Sequence, residues 1–338
     1  MQLVVTRSLR LSLALIAFFV ASDVIWLPLS PLEFDWASAR GLLKAGIAVV
    51  VAVVVLSAIE WRLEGDDSRT AAILRWSART VGRLAPVLGI MALLTSSVAL
   101  LSYLAAATAW PLQDARFAAW DRALGFDWLA WFGWLDANPL VAKTLSAAYH
   151  TSFAQVIGLL VLLTMLGRDR DLWDFVALFA LTSVAVILVS IAVPASGAAA
   201  YHDPGPALRS GFHPLSGIWH LDEFLGVRDG RIRAISLDRL EGIVQFPSFH
   251  TVLAIVTPYA LRHVRFVFWP VALLNAVIIV STLSEGGHYL VDVLAGAVLA
   301  IAAIAVVRRL GRGEVVADPM VTSAGEPRFV WRPASRWA

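Results

Sequence analysis

Long apolar runs alternate with short charged breaks along this chain. Read by hydropathy, the runs predict eight membrane-spanning helices, at roughly residues 9–29, 41–59, 84–109, 141–166, 174–194, 248–262, 265–284 and 288–310. Several reach or approach the ~20 apolar residues that a membrane helix needs. The sixth is short: at ~1.5 Å per residue it spans only about 21 Å, against a hydrocarbon core of ~30 Å. Either it begins below the surface or Pro258 distorts it, and a recessed start would suit a site at its beginning. The first run is too long for a secretory signal core and lacks a clear small-x-small cleavage site, so it reads as an uncleaved span.

Composition agrees with an all-α integral membrane protein. The 338 residues are 59% hydrophobic and only 15% charged, where a soluble domain carries about 25% charge. The charges also orient the chain. With the N-terminus inside, 17 of the 27 Lys and Arg residues fall on the cytoplasmic side, including the short turns at 167–171 and 262–265. Short loops decide this rule, so both termini are expected inside a bacterial-type inner membrane, with residues 195–247 outside. A net charge of +2, spread over helix flanks, gives no footing for nucleic acid. The absence of cysteine excludes disulfides, thiolate metal sites and cysteine nucleophiles.

Between the third and fourth runs, residues 112–140 mix Trp with acids and bases and read as one helix lying along the interface. Its simplest role is anchoring, and a lateral gate for lipid is compatible with that. The polar tail from 311 reads as cytoplasmic and poorly ordered.

Chemistry concentrates in two stretches, "FPSFHTV" around His250 and "STLSEGGHYLVDVLAG" around His288. The two histidines stand 38 positions apart, one trip in and one trip out, so both land at one membrane face. Asp292 follows His288 at i+4 and shares its helix face. Each histidine is expected at a helix start, where free first-turn N–H groups favour an anion. Ser248 and the Gly286-Gly287 pair allow hydroxyl and backbone groups close to a phosphate. A neutral imidazole is a good nucleophile toward phosphorus, and a carboxylate on its other nitrogen fixes the tautomer. A second histidine across the phosphorus can protonate the leaving alkoxide. Hence His288 with Asp292 is the candidate nucleophile and His250 the candidate acid, through a phosphohistidine.

These stretches resemble the second and third signature motifs, Pro-Ser-x-His and Ser-Arg-x5-His-x3-Asp, of the type 2 phosphatidic acid phosphatase superfamily. The fit is closest to the branch that includes fungal inositol phosphorylceramide synthase. The resemblance implies a six-helix bundle carrying the site at one membrane face, with His288 and Asp292 as nucleophile pair and His250 as acid. It divides the chain into two N-terminal helices with their loop (1–83), a catalytic domain (84–310) and a tail (311–338). It implies a lipid phosphate or phospholipid substrate, with either water or an alcohol as acceptor, and no cofactor or metal. Two departures stand out. The arginine of the third motif falls at Thr282, and the first motif, Lys-x6-Arg-Pro, is absent; the segment after the fifth span reads "VPASGAAAYHDPGPALRSG". The inositolphosphotransferase-like branch resembles this chain in lacking that motif. Candidate replacement cations are Arg209, Arg228, Arg231 and Arg233, with Arg209 and Arg233 the phosphate-binding candidates beside Ser248 and Gly287.

Blander readings stand beside these. His250 alone could be a helix-cap residue, and two His with one Asp can bind zinc. Tyr149 and His150 could line a substrate pocket, as could Tyr201, although a lone histidine near a helix end is more often structural. His202, His213 and His220 fall in the long loop, where histidines are usually solvated. His263 reads as a topology signal, and Asp23, inside the first span, as a packing residue. A rival function is a transporter or channel using His250, His288 and Asp292 as a proton or ion relay. Against it, the three cluster at one face rather than at mid-membrane.

Overall fold

The structure is a computed structural model that describes residues 6–204 and 215–311. Each of the eight apolar runs forms helix. The long ones are α1 (Arg7–Trp26), α2 (Ala39–Arg62), α3 (Arg69–Ala107), α8 (Asp169–Ala192), α13 (Arg265–Thr282) and α14 (Leu290–Gly311). Among the described residues these six are long and apolar enough to cross a membrane. The fourth run is broken into α6 (Pro139–His150) and α7 (Ser152–Met165), bent by 41° at Thr151. The sixth is α12 (Phe249–Ala260), 12 residues or about 18 Å long, with Pro258 in its last turn.

Short helices fill the connections: α4 (Asp114–Ala123), α5 (Trp128–Ala137), α9 (Ala198–His202), α10 (Leu215–Trp219) and α11 (Leu221–Arg228). The segment expected as one interfacial helix is therefore two, α4 and α5. Gly125 breaks it, at φ +79°, a left-handed turn that only glycine enters freely. Two short strands, β1 (Glu33–Phe34) and β2 (Ala234–Ile235), pair in parallel.

α8 and α12 form the centre of the bundle. α8 packs against α1, α3, α12 and α14, and most of its side chains are buried, Phe175 and Leu178 completely. α12 buries Val252, Leu253 and Val256 among α7, α8, α13 and α14. α1 contributes Leu9, Ile16 and Phe19 to the same core. Among the described residues α2 has no buried side chain, and it packs on α3, where Val49 lies against Gly89. In a bilayer such an all-apolar exposed helix faces lipid.

One end of the bundle is stitched by charge. Ser8 donates to Asp174 (2.5 Å), Arg262 and His263 reach Asp171 (3.1 and 3.0 Å), and Arg7 donates to the Leu310 carbonyl (3.0 Å). His263, expected as a topology signal, belongs to this cluster. Within the membrane span Asp23 accepts from Ser97, tying α1 to α3. The loop segments gather at the opposite end, where α12 and α14 begin.

Candidate active site

Ser248 caps α12: its backbone is extended, and its Oγ accepts from the Thr251 N–H (3.3 Å) and hydroxyl (3.1 Å). His250 is the second helical residue. The Ser248 N–H donates to the Asp292 carbonyl (3.1 Å). This contact needs Gly296, since a Cβ there would lie 2.4 Å from the Ser248 carbonyl oxygen. The two signature stretches are thus joined backbone to backbone.

His288 does not open α14 as expected; the helix starts two residues later, at Leu290. His288 sits in the turn before it, with its N–H donating to the Thr282 carbonyl (3.1 Å). Asp292 Oδ2 accepts the Tyr289 N–H (3.0 Å) and lies 3.1 Å from His288 Nδ1. Both side chains are buried, Asp292 completely. A carboxylate on Nδ1 makes Nε2 the candidate reacting nitrogen. The Gln245 backbone is a hydrogen-bond partner of the same imidazole. His288 and His150 are within electrostatic reach of His250.

The N-terminus of α14 is already taken by an internal anion, which corrects the expectation of two free helix starts. Asp121 on α4 accepts the Leu290 N–H at Oδ2 (2.8 Å) and the Val291 N–H at Oδ1 (3.0 Å). Two turns earlier on the same face of α4, Asp114 accepts from Ser196 N, Gly197 N and the Tyr289 hydroxyl, all at 3.0–3.1 Å. Trp128 of α5 donates its indole N–H to the Leu283 carbonyl (2.9 Å). The Trp-rich segment therefore frames the turn that carries His288. Burial pushes the Asp121 carboxyl above its ordinary range, opposed by the two N–H groups it accepts.

Gly287 is left-handed, at φ +63°. A Cβ there would meet Gly217 Cα at 2.8 Å and Ala199 Cβ at 2.9 Å, so α9 and α10 close directly over the turn. Tyr149 and His150, at the end of α6, come in from the other side. The Tyr149 hydroxyl lies 3.2 Å from His250 Nδ1, and His150 Nε2 lies 3.3 Å from Glu285 Oε1. Tyr201 is half-exposed, its ring 6.4 Å from that of Tyr289.

The structure thus brings His250, His288, Asp292, Ser248, Gly287, Tyr149 and His150 together. Arg233 is elsewhere, exposed beside β2 with its Nε on the Gly230 carbonyl (3.3 Å). Arg231 pairs with Asp229 (2.7 Å), and Arg228 donates to the Trp110 carbonyl (2.5 Å). Arg209 and His213, like the tail from 312, lie outside the described residues. Thr282, in the place of the motif arginine, is fully buried and donates to the Ile279 carbonyl (2.7 Å). Two loop histidines expected in solvent are not there. His220 is buried against Gln245 (2.9 Å). His202 stacks on Trp128, rings 5.5 Å apart and 8° from parallel, and burial holds its pKa below the usual imidazole value.

Sequence reasoning missed Asp114, Asp121, Trp128, Gln245, Glu285 and Tyr289. A signal existed for the first two. They are seven residues apart on α4, on the face that also carries Phe117 and Ala118, so the buried stripe of that amphipathic helix contains two carboxylates.

A family model described as the PAP2 superfamily matches residues 115–306, more than half of the chain. No curated protein and no solved structure matches it. The chain belongs to the PAP2 superfamily, an all-helical membrane family, and that membership supports phosphatase-type action on lipid phosphoesters in general.

Proposed function

We propose that this protein is a membrane lipid phosphatase or phosphotransferase working through a phosphohistidine. His288 Nε2 attacks phosphorus while Asp292 holds Nδ1 and stabilises the imidazolium that develops. His250 protonates the departing alkoxide, then takes a proton from the incoming water or alcohol. The observation that carries the reading is the buried 3.1 Å contact between His288 Nδ1 and Asp292, with Tyr149 touching both His250 and the turn before His288. By the distribution of arginine, the site faces the periplasm or outside, because it lies at the end of the bundle opposite Arg7 and Leu310. The buried Thr282 and the missing first motif support the inositolphosphotransferase-like branch, in which an alcohol replaces water as acceptor.

The test is product formation by the purified protein in detergent, from a phosphorus-labelled lipid phosphate or phospholipid, with and without inositol or glycerol. Free phosphate regardless of acceptor identifies a phosphatase; a labelled head-group product that requires the acceptor identifies a phosphotransferase. His288→Ala is expected to abolish either. Turnover that survives in His288→Ala overturns the phosphohistidine reading, and activity that appears only across a sealed membrane overturns the enzyme reading in favour of a relay.

A further inference from the structure

His288 has Asp292 to hold its inner nitrogen, and His250 has no carboxylate in that place. What stands there is Tyr149. Its hydroxyl lies 3.2 Å from His250 Nδ1, and its ring stacks on the imidazole, centroids 4.3 Å apart and 23° from parallel. Phe153 closes the imidazole from the edge, centroids 5.6 Å apart. The other side of the Tyr149 ring reaches the nucleophile's turn: a Cβ on Gly286 would lie 3.1 Å from Tyr149 Cε2 and 2.9 Å from His288 Cδ2. One buried tyrosine therefore touches both histidine-bearing segments.

Its own position is fixed. The Tyr149 carbonyl accepts the Ser152 hydroxyl (2.6 Å) at the bend between α6 and α7. The neighbouring His150 pairs with Glu285, the residue before Gly286. The end of α6 is thus fastened to one signature stretch through His150 and to the other through Tyr149.

We infer that Tyr149 is the positioning residue for the His250 acid. This rests on the phosphohistidine reading. The tyrosine oxygen accepts the Nδ1–H of His250, so Nδ1 keeps its proton throughout and Nε2 is the nitrogen that exchanges one. In the first step the O–P bond of the leaving group breaks as His288 Nε2 bonds to phosphorus. The Nε2 proton of His250 passes to the departing oxygen, leaving a neutral imidazole. In the second step that Nε2 takes the proton of the attacking water or alcohol while the P–N bond to His288 breaks. The cycle closes with no net change in either histidine.

Leaving-group dependence tests this, because a merely structural residue has none. Tyr149→Phe keeps the ring and its stacking and removes only the oxygen. Two substrates are compared in detergent: dioctanoyl phosphatidic acid, whose alkoxide must be protonated, and p-nitrophenyl phosphate, whose phenolate leaves unassisted. Tyr149→Phe is expected to lower kcat/KM, which reads the first step alone, on the first by roughly three- to tenfold, the worth of one neutral hydrogen bond. On the second its kcat/KM stays within about twofold of wild type, where the acid contributes little. His250→Ala should show the same selectivity with a larger loss on the alkyl substrate. Equal losses on both substrates, or none on either, overturn the assignment of Tyr149 while leaving His288 as nucleophile. Turnover that survives undiminished in His288→Ala overturns the phosphohistidine reading itself, and this inference with it.

Discussion

Asp121 bears on the site through the start of α14, and its removal gives a sharp test of how the turn carrying His288 is held. Its two carboxylate oxygens take the N–H groups of Leu290 and Val291 at 2.8 and 3.0 Å. In Asp121→Ala both donors lose their partner at a helix start that also loses a favourable negative charge. An unsatisfied buried donor costs roughly 1–3 kcal/mol. Leu290 is only part-buried, so water recovers some of this, and the expected loss is about 3 kcal/mol. His288 sits two residues before Leu290, so a relaxed helix start also moves the imidazole. A misplacement of about 1 Å can slow a reaction by up to roughly 10²-fold, and a fall in kcat of at least about tenfold is expected here. Asp121→Asn keeps one acceptor and should fall between. The control is Asp127→Ala in the same segment. Asp127 caps α5 by accepting the Ala130 N–H (3.1 Å) in an exposed setting, worth about 1 kcal/mol. The assay is thermal unfolding in detergent, followed by Trp fluorescence, together with phosphate release. If Asp121→Ala melts with Asp127→Ala and turns over like wild type, Asp121 is an ordinary cap and the argument fails.

Two further perturbations probe the same end of the bundle. Gly287→Ala forces a Cβ onto a left-handed residue (φ +63°) and into Gly217 and Ala199. The backbone penalty is about 1–2 kcal/mol and the overpacking about 1–3 kcal/mol more, so melting point and turnover should fall together. Gly125→Ala, at φ +79° with nothing within 4 Å of the new Cβ, should show the backbone penalty alone; equal effects would sink the close-packing account. His202, its pKa held below the usual 6.5 by burial, links stability to pH. Between its lowered folded value and 6.5 the unfolded chain binds more protons, so stability is complete above 6.5 and is lost on acidification. Asp121, raised by burial, works in the opposite sense, so the comparison is wild type against His202→Phe. From about pH 7 to pH 5 the wild-type midpoint should fall further than the variant's, and parallel curves would refute the linkage.

Hydropathy made the eight helices legible because a bilayer imposes one rule, that apolar runs of about 20 residues must be helical to satisfy their own backbone. The two histidines and Asp292 were legible for a related reason. A fixed number of residues in and out of a membrane returns both histidines to one face, and i to i+4 puts Asp292 beside His288. Connecting segments obey no such rule. Residues 112–140 had the composition of an interfacial helix, and nothing in that composition says that Gly125 divides it. Nor does it say that Asp121 reaches Leu290, 169 residues further on. The start of α14 was misjudged by two residues because the capping anion is supplied from that remote helix. Local reading looks for a Ser, Thr, Asp or Asn just ahead of the helix, as Ser248 stands ahead of α12.

The two histidines are held by different means, and the difference fits the roles proposed for them. A nucleophile must approach phosphorus along one line, so small displacements are costly. The turn carrying His288 is fixed by its N–H on Thr282, by Asp121 and Asp114 beyond it, by Trp128 before it and by Gly217 and Ala199 above it. A proton donor tolerates more variation, and His250 rides on the first turn of α12 with aromatic rings around it. The spacing between them rests on neither set of side chains. It rests on the Ser248 N–H bonded to the Asp292 carbonyl and on the gap that Gly296 leaves for the Ser248 carbonyl. Because that junction is backbone on backbone, the separation of the two histidines does not depend on which side chains surround it.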